Sequence, residues 1–77
     1  MAQTERKSDV FDTIVERWPS ALVARSEVRA FSGGVLSGKT LANAESLGLP
    51  GPAPVRIGGK VAYRAEDLAA WLRSRAK

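Results

Sequence analysis

Pro50-Gly51-Pro52-Ala53-Pro54 constrains this chain more than any other stretch of it. Proline removes a backbone donor and clashes with the preceding turn, so neither a helix nor a central strand can run through these residues. They read as a stiff connector. Before it the apolar residues recur with helical periodicity, and after it the chain resumes with β-prone residues. With 77 residues in all, both parts must share one core.

Met1–Lys7 is polar and charged and reads as a disordered tail. Residues 8–19 read as an N-terminal helix, with Ser8 as its cap and the helix running from Asp9 to Trp18. Val10, Phe11, Ile14, Val15 and Trp18 follow a 3.6-residue period, Asp9 and Asp12 suit the positive end of the dipole, and Pro19 stops it. Residues 20–77 then form the main domain. Arg25–Phe31 suggests a short helix with Val28 and Phe31 inward, broken by Gly33-Gly34. Ser37 caps a further helix, Gly38 to Leu47, whose inner face is Leu41, Ala44 and Leu47, and Gly48 ends it. Two helices across a glycine-containing turn make a helix-turn-helix, although Ser32–Leu36 is a long turn for one.

Val55-Arg56-Ile57 and Lys60-Val61-Ala62-Tyr63 flank Gly58-Gly59, which reads as a hairpin with a primed turn. An isolated hairpin is unstable, so Val55, Ile57, Val61 and Tyr63 are expected to pack on the helices. Ala65–Arg75 closes the chain as a helix with Leu68, Trp71 and Leu72 inward. The expected fold is mainly α with a small β-hairpin.

The chain has neither cysteine nor histidine, which removes disulfides, thiolate chemistry, the usual zinc sites and histidine acid–base catalysis. No cofactor and no metal are expected. No apolar run reaches membrane-spanning length and no apolar segment follows the polar N-terminus, so the expected location is the cytoplasm. The net charge is +4, unevenly spread: from Arg25 to Arg64 there are six basic residues against Glu27 and Glu45 alone. Such an excess suits a polyanion, because cations that neutralise phosphates release condensed counterions.

Gly33-Gly34-Val35-Leu36-Ser37-Gly38-Lys39-Thr40 matches the phosphate-binding pattern G-x-x-x-x-G-K-[ST] at every position. That loop works only between a buried strand and a helix, held by a parallel sheet with a second acidic strand for Mg²⁺. Here a helical segment precedes it, and too little chain remains for such a sheet. The match is read as coincidence, and no enzyme activity is expected.

The second helix of a helix-turn-helix places its first residues against base edges in the major groove. With Leu41, Ala44 and Leu47 inward, Gly38, Lys39, Ala42, Asn43 and Ser46 face outward. Lys39 can donate to guanine or phosphate, and Asn43 can pair with adenine through two hydrogen bonds. Gly38 and Ala42 are small enough for close approach. Ser37 and Thr40 lie at the helix N-terminus, which favours a phosphate. Arg56 and Lys60 flank the bare Gly58-Gly59 tip, making a narrow basic finger that can enter a minor groove.

Leu22-Val23-Ala24-Arg25-Ser26-Glu27-Val28, Ser37-Gly38-Lys39-Thr40-Leu41-Ala42-Asn43, Val55-Arg56-Ile57-Gly58-Gly59-Lys60-Val61-Ala62-Tyr63 and Glu66-Asp67-Leu68-Ala69-Ala70-Trp71-Leu72 together resemble the phage excisionase and MerR-type winged helix-turn-helix family. The hairpin followed by Glu66 to Leu72 is the most specific part. The resemblance implies a winged helix-turn-helix, here with an extra N-terminal helix, that binds double-stranded DNA sequence-specifically. The helix from Gly38 would lie in the major groove and the Gly58-Gly59 wing in the adjacent minor groove. It further implies phosphate contacts from Arg25 and Arg64. Its members direct site-specific recombination toward excision, with an integrase or recombinase as partner, or regulate transcription of mobile elements. Ala24 replaces the frequent Ser or Thr cap, which moves the expected helix start toward Ser26. A protein-interaction adaptor is the competing reading: the apolar stripe of the N-terminal helix either packs on the domain's own core or mediates self-association.

Overall fold

The computed structural model describes residues 9–76, so the expected tail and a cap from Ser8 lie outside the described residues. Among the described residues the chain forms four α-helices and one three-stranded antiparallel sheet. In order these are α1 (Val10–Arg17), β1 (Leu22–Ala24), α2 (Val28–Phe31), α3 (Gly38–Ser46), β2 (Pro54–Ile57), β3 (Lys60–Arg64) and α4 (Ala65–Arg75), with a 3₁₀ turn at Arg25–Glu27 leading into α2. None of these helices is long and apolar enough to cross a membrane.

Asp9, rather than a helical residue, is the cap of α1: its carboxylate accepts from the backbone N–H groups of Phe11 and Asp12 at 3.1 and 3.0 Å. The apolar stripe of α1 turns toward the molecule's own core. Phe11, Ile14, Val15 and Trp18 are half-buried against it, while Val10 stays 62 % exposed. Trp18 anchors the far end, with its ring edge-on to Phe31 at 5.4 Å between centroids and its indole N–H donating to the Leu22 carbonyl at 2.9 Å. Arg73 of α4 donates to both carboxylate oxygens of Asp9, at 2.9 and 2.7 Å, and to Asp12 at 3.0 Å.

The hairpin has the expected turn. Gly58 and Gly59 both take positive φ, +52° and +83°, as a primed turn requires. The sheet is larger than a hairpin, however. β1 adds a third strand, pairing Val23 with Tyr63 and making β3 central. Val23 is fully buried, and the Ala21 carbonyl accepts from the first amide of α4, so β1 pins that helix to the sheet. The core joins Val23, Val28, Phe31, Leu36, Leu41, Tyr63, Ala65, Leu68 and Ala69.

Three packing expectations need correction. The segment read as one helix from Arg25, or from Ser26, is a 3₁₀ turn followed by a single α-turn, and Ala24 offers no side-chain cap. Leu47 is 72 % exposed because α3 ends at Ser46 and the chain reverses at Gly48. Ile57 is 52 % exposed: it sits next to the tip and pairs with Lys60, beyond the reach of the helices.

Gly33 and Gly34, both at positive φ, follow α2 rather than a strand, and the sheet is antiparallel throughout. The buried Ser32 hydroxyl accepts from the Leu36 amide at 2.9 Å and lies 3.1 Å from the Leu36 carbonyl, closing the loop on itself. This is not the strand–loop–helix setting in which a phosphate-binding loop works.

Candidate functional site

The N-terminal end of α3 is held by two features of its own sequence. Ser37 caps it, accepting from the Thr40 amide at 3.2 Å, and the two hydroxyls lie 3.0 Å apart. Those hydroxyls, expected to face a phosphate, are therefore engaged with each other. Gly38 has a role the sequence did not disclose. A Cβ there would stand 2.2 Å from the Arg25 carbonyl oxygen and 2.8 Å from the Arg25 Cγ, so α3 can press against the 3₁₀ turn only because this residue lacks a side chain. Close approach is indeed what the glycine serves, but the surface it approaches is the protein's own backbone.

This contact opens a groove of about 570 Å³ between α3, the 3₁₀ turn with α2, and the hairpin tip. Lys39 and Ala42 line it from α3, Gly59 and Lys60 from the hairpin, and Ser26 and Arg29 from the opposite wall. No carboxylate lines it, and Arg29, Lys39 and Lys60 form no ion pair among the described residues. Three elements separated in sequence thus present unpaired cations to one concavity.

Asn43 is exposed one helical turn beyond Lys39, and Ser46 is exposed a turn beyond Ala42. Positions four apart share a helix face, so both extend the outward strip of α3 past the groove. The Asn43 amide makes no side-chain hydrogen bond among the described residues. Gly58 is exposed at the tip beside Gly59.

The arginines are placed less simply. Arg25 is half-buried, its Nε and Nη2 donating to the Tyr63 hydroxyl at 3.0 and 2.7 Å and its Nη2 also to Glu45 at 2.7 Å. Arg56 is ion-paired with the other oxygen of Glu45. The bond from Arg25, helped by the nearby Arg56 charge, holds the Glu45 carboxyl below its ordinary pKa despite partial desolvation. Arg64 stands apart, at the other end of β3 from Lys60 and bordering a separate hollow with Val15, Leu22 and Glu66.

Arg29, Ser26, Glu45 and Tyr63 were missing from the residues the sequence singled out for the site. Arg29 lies four residues after Arg25, a spacing that shares a helix face in the segment read as one helix and was the available signal for it. Comparison with known proteins returns no match, whether to family models, curated proteins or solved structures.

Proposed function

We propose that this chain is a winged helix-turn-helix protein that binds double-stranded DNA sequence-specifically and catalyses no reaction. In this reading α2 and α3 are the helix-turn-helix and the β2–β3 hairpin is the wing. The observation that carries it is the groove in which Arg29, Lys39 and Lys60 converge without a carboxylate. Such a surface gains free energy from a polyanion through counterion release. The outward strip of α3 presents Lys39, Ala42, Asn43 and Ser46, whose side chains are short enough for the helix to lie deep in a major groove, apart from the lysine that can reach a guanine edge. The glycine tip, free of side chains, suits a minor groove beside it. Within this reading the protein is an excisionase-like directionality factor for site-specific recombination or a small regulator of a mobile element.

Titration of the full chain against duplex DNA over a range of salt tests the proposal. The parent is expected to bind with an affinity that falls steeply with salt. Lys39→Ala with Lys60→Ala is expected to weaken binding to every sequence and to flatten the log–log salt slope by about two. Salt-independent or absent binding to all duplexes would refute the reading, as would an unchanged slope in the double variant.

A further inference from the structure

Duplex binding explains the cations of the groove but not the carboxylate beside them. Glu45 lies on the same helix as Lys39, and an anion there repels the very ligand the surface attracts. Its position follows from two patterns. On α3 it is one turn past Leu41 and so turns toward the sheet. On β2, Arg56 pairs with Val61, which shares a sheet face with Tyr63, so the arginine turns toward α3. The two side chains meet between the elements.

Four elements are linked in this way. Tyr63, 2 % exposed on the central strand, accepts from Arg25 on the 3₁₀ turn; Arg25 donates to Glu45 on α3; Arg56 on β2 closes the chain on the other carboxylate oxygen. The guanidinium of Arg25 also lies over the Tyr63 ring, 5.7 Å from its centroid. Apolar packing does little to join α3 to β2: Leu41 is the buried residue of α3, and β2 contributes no buried side chain. Leu41 and Tyr63 join α3 to β3 through the shared core, and beyond that core the polar chain is the direct tie between the helix and the outer strand of the hairpin.

We propose that Glu45 is a positioning residue, whose grip on Arg25 and Arg56 fixes the hairpin at one separation from α3 and thereby sets the spacing of Lys39 and Lys60 across the groove. Adjacent furrows of B-form DNA have a fixed separation, so a ligand of this kind rewards a preset spacing and penalises a hairpin that must be ordered on binding. The effect on affinity rests on the duplex reading above; the effect on spacing does not. Arg25 and Arg56 then contribute mainly by holding Glu45, with Lys39, Lys60 and Arg29 left to meet phosphate.

The absence of cysteine allows paired spin labels on the full chain at Leu47→Cys and Ile57→Cys, both exposed and both outside the groove lining. Pulsed dipolar spectroscopy is expected to give one narrow distance distribution for this labelled parent and a markedly broader or displaced one once Glu45→Gln is added. Arg56→Gln attacks the same link from the hairpin and is expected to do likewise, which keeps the test decisive if one variant folds poorly by circular dichroism. Distributions that superimpose on the parent's overturn the proposal. The unlabelled chains are titrated in parallel with a mixed-sequence duplex of about 20 base pairs at low salt. Loss of a carboxylate that merely repels DNA raises affinity, whereas loss of a positioning group lowers it, here by about threefold to tenfold from the cost of ordering the hairpin. A gain in affinity for Glu45→Gln overturns the proposed role in binding. Should the parent bind no duplex, the functional reading fails and the distance measurement alone decides whether Glu45 sets the spacing.

Discussion

The two sides of this molecule handle charge in opposite ways. On the α1–α4 side, Asp9 and Asp12 are matched by Arg73, and beneath them lies a continuous apolar contact from Phe11 to Trp18. On the α3–hairpin side, Leu41 and Tyr63 reach the core but β2 buries no side chain, the acid Glu45 is held by two arginines, and Arg29, Lys39 and Lys60 carry no partner among the described residues. The first side lowers its free energy internally. The second leaves favourable electrostatic interactions unmade, which is the condition a surface must meet to gain energy from an external polyanion. The apolar stripe of α1 packs against the core, and α1 contributes no residue to the groove.

Removing the anchor of α1 should have the largest effect. Trp18→Ala deletes the contact with Phe31 and the hydrogen bond to Leu22, and should lower stability by about 2–4 kcal/mol in urea unfolding, somewhat below a fully buried tryptophan. Under the proposed reading, duplex binding by the folded fraction should persist, because α1 does not line the groove. A loss below about 0.5 kcal/mol, the size expected of an ordinary surface substitution, would mean that α1 is an appendage and that the two sides do not differ as described.

Next in size is Gly38→Ala. Alanine is normally the better helix former, by up to about 1 kcal/mol. Here its methyl meets the Arg25 carbonyl, which is backbone and cannot swing aside, so the expected result is a net loss of about 1–3 kcal/mol. Under the proposed reading, duplex affinity should fall as well, since moving α3 off the 3₁₀ turn reshapes the groove wall. A stabilised Gly38→Ala chain would show that α3 is not seated against Arg25 and would remove the basis for the groove's shape.

Much of this architecture could be read from the residues, and the failures have specific causes. The two long apolar periodicities disclosed α1 and α4, and Gly58-Gly59 between β-prone runs disclosed the hairpin and its turn. β1 was invisible because three residues cannot display a period of two, and Val23 earns its burial from pairing with the distant Tyr63. Leu47 was misplaced by extending the helical period one residue past its last turn. The outward facing of Lys39, Asn43 and the tip residues could be read because one local element decides which way each faces. Arg25 and Arg56 were not, since their direction depends on the β2–β3 register and on a tyrosine 38 residues away. Local pattern finds a cation; only tertiary placement tells whether it is already taken.

The smallest expected effect concerns acid and tests whether the α1 side is held by charge as well as by apolar contact. Two hydrogen bonds from Arg73, then those from the Asp12 and Phe11 amides, lower the pKa of Asp9 to about 2 against an ordinary value of 3.8. Because the folded value is the lower one, the stabilisation is complete above about pH 4 and is lost as pH falls toward 2. Glu45 is shifted in the same direction, so the urea midpoint of the parent should drop in that window for more than one reason. Asp9→Asn separates them: asparagine still caps a helix, but it has no proton to gain. The variant should start from a slightly lower midpoint at neutral pH and decline less between pH 4 and 2, converging on the parent. Parallel declines in the two chains would mean that the ion pair with Arg73 does not hold α1, leaving Phe11, Ile14, Val15 and Trp18 to dock it by burial alone.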